Sequence, residues 1–509
     1  MNTEMRKIFA LIACAAAFVL AGCETEGYFG YNESLSKDGY AMSADGLVVP
    51  EPQGDQFEEF SDNPFVKASE ENSSTFSVDA DGASYAVMRR YVERGYTISP
   101  SMVRIEEYLN YFTFDYPEPT GNHTVAINSE LGPCPWEPSH RLLRLGIKGK
   151  DVPQNEMPKA NYVFLIDVSG SMDSADKLEL LKSGLIELVD NLNTDDRISI
   201  ITYSGEVEKL LESTPVSEAQ KIKKAIKKLK ASGCTWGGKA IQMAYDEILV
   251  NYIPDGNNRV ILGTDGDFNV GVTNTDSLVS MVEGYASRGI YLTVCGFGSG
   301  NLNDTMMEKI SNSGNGTYEF IDSEDEMMRV FVHNRSRFVA VANDAKCQVT
   351  FDSTLVDSYR LIGYENRVMS NEDFTDDKKD AGEIGAGQTI TALYELIPTE
   401  MLKSAASAQK VATFDFRYKK NLSAESIPLT KEVTVGEMTT EETVSENLTF
   451  ASGVAAYGMV LRRSPYKGNA SLDMAKSLVG KSLSFDPKGY RAQLLRLMER
   501  VKVSAEEKP

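Results

Sequence analysis

Five oxygen-bearing side chains near the ends of predicted strands have the types and spacing of a metal site. The segment DVSGSM supplies Asp167, Ser169 and Ser171 at alternate positions, directly after a short apolar run. Thr235 lies in SGCTWGG, and Asp265 follows the apolar run RVILG. Carboxylate and hydroxyl oxygens suit a hard cation such as Mg²⁺ or Mn²⁺, whereas a set without His or Cys is a poor zinc site.

The surrounding pattern predicts that these side chains meet at one edge of a sheet. Short apolar runs alternate with amphipathic segments from about 160 to 335, which is typical of a doubly wound α/β domain. The runs that predict strands are YVFLIDV, RISIITY, VEKLLES, RVILGTD, IYLTVCGF and GTYEFI. Ligands of such sheets bind in the crevice beyond the carboxyl ends of the strands. Because the five side chains cannot fill six coordination positions directly, one position is left for a further ligand.

The order Asp-x-Ser-x-Ser, then Thr, then Asp resembles the metal-ion-dependent adhesion site of von Willebrand factor A domains. The resemblance implies that Ser169 and Ser171 bind the metal, that Thr235 binds it directly or through water, and that both aspartates act through waters. It also implies that an acidic residue of a protein partner completes the shell. The sequence departs from the pattern at Gly263 in RVILGTD, where a bulky apolar residue is usual, so a local weakening of this strand is expected.

The resemblance extends to both flanks of this domain. STFSVDADGASYAVMRR and VRIEEYLNYFTFDYP before it, and LTFASGVAAYGMVLRRSPYKGNAS and DPKGYRAQLLRLME after it, resemble YfbK-type bacterial von Willebrand A lipoproteins. Strand-like blocks lie at 124–150 and 346–435, and neither has enough strands for a closed sandwich. The predicted fold class is therefore α/β, with a mostly parallel von Willebrand A sheet of Rossmann-like topology inserted in one flanking β-sandwich, plus helical terminal regions.

The domain organisation follows from these blocks. The predicted segments are a lipoprotein signal peptide (1–22), a flexible tether (23–66), an N-terminal flanking region of helices and strands (67–158), the von Willebrand A domain (159–335), a β-rich region (336–440) and a helical C-terminal region (441–509). A shared sandwich predicts that Cys134 and Cys347 lie in one core, close enough to pair. Cys295 ends a buried strand and is predicted to be an inert core thiol.

The N-terminus has the pattern of an export signal. Arg6 and Lys7 precede an apolar run that is too short to span a bilayer and ends in small residues. LAGC resembles the lipobox of bacterial lipoproteins, which implies that Cys23 is lipidated and anchors the chain to a membrane of the cell envelope. We expect the outer membrane. The alternatives are an ordinary signal peptide with a chance Cys and a short membrane anchor.

The amino-acid composition excludes several classes of partner and of enzyme. The 52 basic and 74 acidic residues give a net charge of −22, which argues against nucleic acid or anionic lipid as partners. With only three His, no Ser-His-Asp triad suggests itself. Together with the resemblance to von Willebrand A domains, which implies the acidic ligand, this leads us to expect a non-enzymatic protein that binds an exposed acidic residue of a protein partner through its cation. A metal-dependent hydrolase and an envelope scaffold with a vestigial metal site are the alternatives.

Two further acidic segments imitate metal sites. DGDFNVGVTNTD (265–276) spaces its acids like a calcium loop, but its Gly falls at the seventh position and its last residue is Asp276 instead of Glu. We interpret it as a turn after the strand. DADG at 79–82 is interpreted as the entry to a helix.

Overall fold

The computed structural model describes residues 54–233, 239–266 and 275–501, together with two short strands, β1 (Met42–Ser43) and β2 (Gly46–Leu47). The two strands pair in antiparallel fashion and belong to a unit of their own, Met1–Val49. The predicted signal peptide, Cys23, Thr235 and positions 267–274 of the calcium-like loop lie outside the described residues.

The N-terminal flanking region begins with strands, continues with two buried helices and ends with a hairpin. Its elements are β3 (Val66–Lys67), β4 (Ser73–Ser77), α1 (Ala83–Arg94), α2 (Ile105–Asn110), β5 (Val125–Pro133) and β6 (Arg141–Gly149). Helix α1 ends at Gly95, whose φ of 73° is the left-handed conformation that glycine adopts freely after a helix.

The central domain alternates strands and helices as predicted. Its elements are β7 (Ala160–Asp167), α3 (Leu178–Asn191), β8 (Arg197–Tyr203), β9 (Val207–Pro215), α4 (Ala219–Lys228), α5 (Ala240–Val250), β10 (Asn257–Thr264), α6 (Thr275–Ala286), β11 (Ile290–Phe297), α7 (Asp304–Ser313), β12 (Tyr318–Ile321) and α8 (Glu324–Met328). The strand order is β12-β11-β10-β7-β8-β9, and every pairing is parallel except that of the edge strand β9. All six predicted strands are present.

Helices cover both faces of this sheet. Every residue of β7 is buried, as expected for a parallel strand covered on two sides. Val163 and Leu165 pack into one apolar cluster, and Phe164 and Ile166 pack into another on the opposite face. The strand thus becomes a rigid support for the loop that follows it.

Gly263 has a packing role in β10. A Cβ atom at this position would lie 2.7 Å from Cδ2 of Leu181, so its absence lets α3 approach the sheet closely. Residue 263 is nevertheless paired on both sides, with Ile166 and with Cys295. The ladder of β10 is therefore continuous at this position.

Two antiparallel sheets form the flanking sandwich. Its later strands are β13 (Ala340–Phe351), β14 (Val356–Ile362), β15 (Val368–Met369), β16 (Ile384–Gly385), β17 (Thr389–Pro398), β18 (Lys410–Lys419) and β19 (Ile427–Thr434). One sheet has the order β15-β4-β13-β18-β19 with β16 beside β13, and the other has the order β3-β14-β17-β6-β5. Both sheets contain strands from before and after the central domain and share one core. The prediction of a domain inserted in a sandwich is confirmed.

The prediction that Cys134 and Cys347 lie in one core, close enough to pair, is wrong. Both are free, buried thiols, but Cys347 lies in the sandwich core whereas Cys134 packs with Trp136 in a different cluster. The reason is that β5 ends at Pro133, so the chain leaves the sandwich just before Cys134. Cys295 is a buried core thiol, as predicted, and burial raises its pKa.

The last part of the predicted tether is not free. The Asp55 carboxylate accepts hydrogen bonds from the backbone N–H groups of Gly300 (2.6 Å) and Leu302 (2.9 Å) and from the Tyr91 hydroxyl (2.6 Å). The Gln56 backbone bonds to Leu302 and Asp304. These polar contacts, together with the packing of Phe57 against an apolar cluster, fix this segment against the central domain. The composition of the segment did not reveal these contacts.

Three C-terminal helices complete the chain: α9 (Glu446–Arg462), α10 (Leu472–Gly480) and α11 (Tyr490–Arg500). They share an apolar cluster with α1 and α2, so the two terminal regions pack together. Within the described part of the chain, no helix combines the length and the apolar character that crossing a membrane requires.

Candidate metal-binding site

Asp167 is the last residue of β7 and is completely buried. Its Oδ1 accepts a hydrogen bond from the Ser169 backbone N–H (2.8 Å), and its Oδ2 accepts one from the Thr264 hydroxyl (3.3 Å). Since β7 and β10 are neighbours in the sheet, the ends of two strands fix this carboxylate.

The two serines continue the same turn. Ser169 Oγ and Ser171 Oγ lie 3.0 Å apart, and a short 3-10 turn, Gly170–Met172, holds the second hydroxyl beside the first. The Gly170 N–H donates to the Gly233 carbonyl at 3.0 Å. This bond joins the loop to the segment that leads to Thr235, which itself lies outside the described residues.

Asp265 lies directly after β10 and is also completely buried. Its Oδ2 accepts a hydrogen bond from the Lys177 ammonium group at 2.8 Å. The same ammonium group donates to the Ser171 carbonyl (2.9 Å) and to Asn301 Oδ1 (3.4 Å). Four of the five predicted site residues thus converge at the carboxyl edge of the sheet.

Sequence reasoning missed three residues that shape this site, namely Lys177, Thr264 and Asn301. Thr264 immediately precedes Asp265 and could have been found from its place at the end of a predicted strand. Lys177 and Asn301 carry no signal in the linear pattern, because the fold alone brings them to Asp265.

The two aspartates differ in their electrostatics. Burial raises the pKa of Asp167 to about 6, opposed by hydrogen bonds from Ser169 and reinforced by the negative charge of Asp265. Burial also acts on Asp265, but hydrogen bonds from Lys177, Asn301 and Ser171 outweigh it and lower the pKa of that carboxyl. Of these two carboxylates, Asp167 is therefore the one whose negative charge is less well compensated by the surrounding protein groups.

The raised pKa of Asp167 predicts a stability effect in metal-free protein. The folded state holds the Asp167 proton more tightly than the unfolded state, so stability falls as the pH rises from about 4 through about 6. Asp167→Asn keeps the acceptor for Ser169 but has no charge to bury. We expect it to raise the free energy of unfolding at neutral pH by about 2–3 kcal/mol and to have little effect near pH 4.

Denaturant titrations of both chains at the two pH values measure this difference. Asp265→Asn is the control of opposite sign, since its lowered pKa means that its charge stabilises the fold above about pH 4. A stabilisation by Asp167→Asn that is the same at both pH values would contradict the assignment.

The geometry fits a hard cation. The described donors are carboxylate and hydroxyl oxygens on adjacent loops, and the ammonium group of Lys177 already provides a positive charge against Asp265. A bound metal ion would supply two charges and coordinate an incoming oxygen ligand. The residues that would hold it are Asp167, Ser169, Ser171, Asp265 and, from the sequence, Thr235.

Comparisons with known proteins agree with the fold. Residues 161–332 match the family model for the von Willebrand factor type A domain, and residues 51–144 match the model described as von Willebrand factor. Residues 336–503 match the model for the C-terminal region of uncharacterized protein YfbK. The chain is thus a von Willebrand factor A domain protein, a class that indicates a protein-interaction function.

Individual relatives show to which family within this class the chain belongs. The chain is 36% identical to uncharacterized protein YfbK of Escherichia coli over 489 residues, which cover 90% of this chain and 83% of that protein. It belongs to the YfbK family. It is also 29% identical to human inter-alpha-trypsin inhibitor heavy chain H4 over 205 residues, only 21% of that protein. A solved von Willebrand factor type A structure from Catenulispora acidiphila aligns with 76% of this chain and 91% of its own, at 16% identity and a TM-score of 0.43.

Proposed function

We propose that this protein binds an acidic residue of a protein partner through a divalent cation, Mg²⁺ or Mn²⁺, held at the edge of its central sheet. The observation that carries the proposal is the convergence of Asp167, Ser169, Ser171 and Asp265 around adjacent hydroxyl and carboxylate oxygens. Thr235 is the fifth proposed ligand. The von Willebrand A class supports a binding role for this edge.

A cation at this edge has a physical reason to recruit an acidic partner. The protein's own oxygens leave a coordination position open, and a carboxylate is a strong ligand for a hard cation. Asp167, Ser169 and Asp265 are buried, so the ion would lie beside a medium of lower dielectric constant than water, which strengthens its attraction to the partner's charge. Loss of the ion would remove the main contact.

We further propose that the chain is anchored to a membrane of the cell envelope, the outer membrane being the expected one, through lipid on Cys23. The support is the LAGC sequence after a short apolar run. Anchoring through acyl chains would hold the adhesion domain at the membrane without a spanning helix.

A hydrolase that uses the same ion has less support. Asp167 accepts hydrogen bonds from a backbone N–H and a hydroxyl group, and Asp265 accepts one from an ammonium group. Both carboxylates are thereby engaged in holding the site, so neither is positioned as a general base for a water molecule. We therefore propose a binding protein without enzymatic activity.

The direct test is metal-dependent capture of envelope proteins by the full chain. With Mg²⁺ present we expect a partner to be retained, and we expect EDTA or Asp265→Ala to release it. Amidation of the carboxyl groups of the captured protein should also abolish its binding, because the proposed contact is a carboxylate.

Asp276→Ala is the matched control. Asp276 lies in the first turn of α6, its side chain is 81% exposed, and its ion pair with Lys309 spans 3.6 Å. This variant should capture the partner as well as the wild type does. Retention that is unchanged in EDTA and in Asp265→Ala would instead support a scaffold with a vestigial site.

A further inference from the structure

A second group of acidic side chains is buried where the N-terminal flanking region meets the central domain. Asp79 lies between β4 and α1, Glu107 lies on α2, and Glu308 lies on α7. Each is at least 95% buried, and each offers a carboxylate oxygen within 4.8 Å of the other two. Three segments that are distant in the sequence therefore meet at these oxygens.

Two arginines pair with these acids. Arg104 pairs with Glu107 and, at 2.5 Å, with the nearby carboxylate of Asp304. Arg367 pairs with Asp79 (3.1 Å) and with Glu308 (3.3 Å).

The pairing leaves negative charge in excess. A fifth carboxylate, Asp81, lies 3.6 Å from Arg367, so that two guanidinium groups face five carboxylates. Burial and neighbouring carboxylates raise the pKa of Asp81 well above its ordinary value, and burial does the same for Glu107 despite its arginine. Buried charge without compensation is strongly unfavourable, so a further cation would stabilise this region.

Unpartnered oxygens indicate where such a cation would bind. Glu308 Oε2 and Tyr318 Oη have no hydrogen-bond partner among the residues that the structure describes, and Asp81 Oδ2 makes no hydrogen bond there either, although it lies 3.6 Å from Arg367. All three residues are at least 95% buried. The charged groups that act on the Tyr318 hydroxyl include Asp304, Glu107 and Glu308, which places it beside the cluster. Buried oxygens without partners are rare in folded proteins and call for a ligand.

We propose that Asp79, Glu107 and Glu308 bind a Ca²⁺ ion, with Asp81 and the Tyr318 hydroxyl as further oxygen donors. The donor set is all oxygen, which excludes soft metals. Ca²⁺ accepts six to eight oxygens in flexible geometry, whereas Mg²⁺ releases its waters reluctantly and suits a crowded buried cluster less well. A cavity of about 210 Å³ reaches the edge of this cluster, where Asp81, Arg367 and Asn312 line it.

The ion would join the flanking region to the central domain. It would connect the loop before α1 and helix α2 with α7, the helix that follows the loop containing Asn301. This structural role is separate from partner binding and does not rest on the proposed adhesion site.

The test uses the full chain carrying Asp167→Ala, which removes a ligand of the adhesion site. Equilibrium dialysis with radioactive Ca²⁺ should find one ion per chain, and Ca²⁺ should raise the melting temperature more than Mg²⁺ does. Adding Glu308→Gln keeps the side-chain shape and the oxygen acceptor for Asn312. It should weaken Ca²⁺ binding at least about tenfold, since even indirect partners of metal ligands have effects of this size.

Asp380→Asn is the control, because Asp380 lines the same cavity as Asp81 but does not belong to the cluster. This variant should keep the Ca²⁺ affinity. In metal-free buffer Glu308→Gln should melt no lower than its parent, since it removes repulsion, and Asp79→Asn provides an independent second variant. Absence of Ca²⁺ binding in the Asp167→Ala chain would show that protons and arginines alone neutralise the cluster. Equal Ca²⁺ affinity after Glu308→Gln would show that the ion binds elsewhere, and either result would overturn the proposal.

Discussion

Replacing Arg89 by methionine is expected to lower the free energy of unfolding by about 3–5 kcal/mol. Arg89 lies on α1 and donates to both oxygens of Asp322 (2.8 and 2.5 Å) and to Glu326 (2.8 Å). It also donates to the Tyr111 hydroxyl at 2.6 Å. All the charged side chains of this group are at least 97% buried, so the substitution leaves Asp322 without its guanidinium partner and leaves Glu326 paired with Arg329 alone.

Arg94→Met is the matched control for Arg89→Met. Arg94 lies in the last turn of the same helix, its side chain is 44% exposed, and it pairs with Asp176 at 3.1 Å. Exposed pairs contribute little, so we expect a change of less than about 1 kcal/mol. Urea titrations of the three chains measure the difference. Equal effects of the two substitutions would refute the importance of the buried network, which links α1 to the α8 end of the central domain.

Replacing Lys177 by methionine is expected to strengthen Mg²⁺ binding about 10- to 150-fold. On the proposed function, an incoming cation must compete with the Lys177 ammonium group for Asp265 and face its repulsion. A hydrogen bond to a charged group contributes about 1.5–3 kcal/mol. Because Mg²⁺ would no longer have to break the bond between Lys177 and Asp265, its binding free energy should improve by that amount, which corresponds to the expected increase in affinity. The apolar stem of methionine preserves packing at the start of α3.

Lys182→Met tests whether the effect is local. Lys182 lies one turn further along α3 and pairs with Glu179 at 2.7 Å, away from the site. This variant should leave Mg²⁺ affinity unchanged in a calorimetric titration. Weaker Mg²⁺ binding by Lys177→Met than by the wild type would contradict this prediction, because it would mean that Lys177 helps to hold the ion and does not compete with it.

Periodicity made the central domain predictable. The strands of a covered parallel sheet are continuous apolar runs, as in β7, and all of those in this sheet except β8 are followed by a helix. The order of the strands then placed Asp167 and Asp265 at one edge without any knowledge of contacts. Lys177 could not be placed there, because a flexible four-carbon side chain reaches Asp265 only through the fold.

Long-range polar contacts set the limit of sequence reasoning. DADG precedes α1, as its interpretation as a helix entry requires, but nothing local shows that Asp79 meets Glu107 and Glu308. Asp55 shows the same limit, since two of its partners, Gly300 and Leu302, lie more than 200 residues away on the loop before α7. Apolar patterns repeat along the chain and reveal elements, whereas these contacts depend on how the finished elements pack.

The most direct test of the proposed adhesion site is calorimetric titration of Mg²⁺ into metal-free full chain. All chains carry Glu308→Gln, so that the buried carboxylates between the two regions do not contribute. The account predicts one Mg²⁺ ion bound in the parent and in Asp276→Ala, and an affinity at least about tenfold weaker in Asp167→Ala and in Asp265→Ala. Equal Mg²⁺ affinity in all four chains would contradict it.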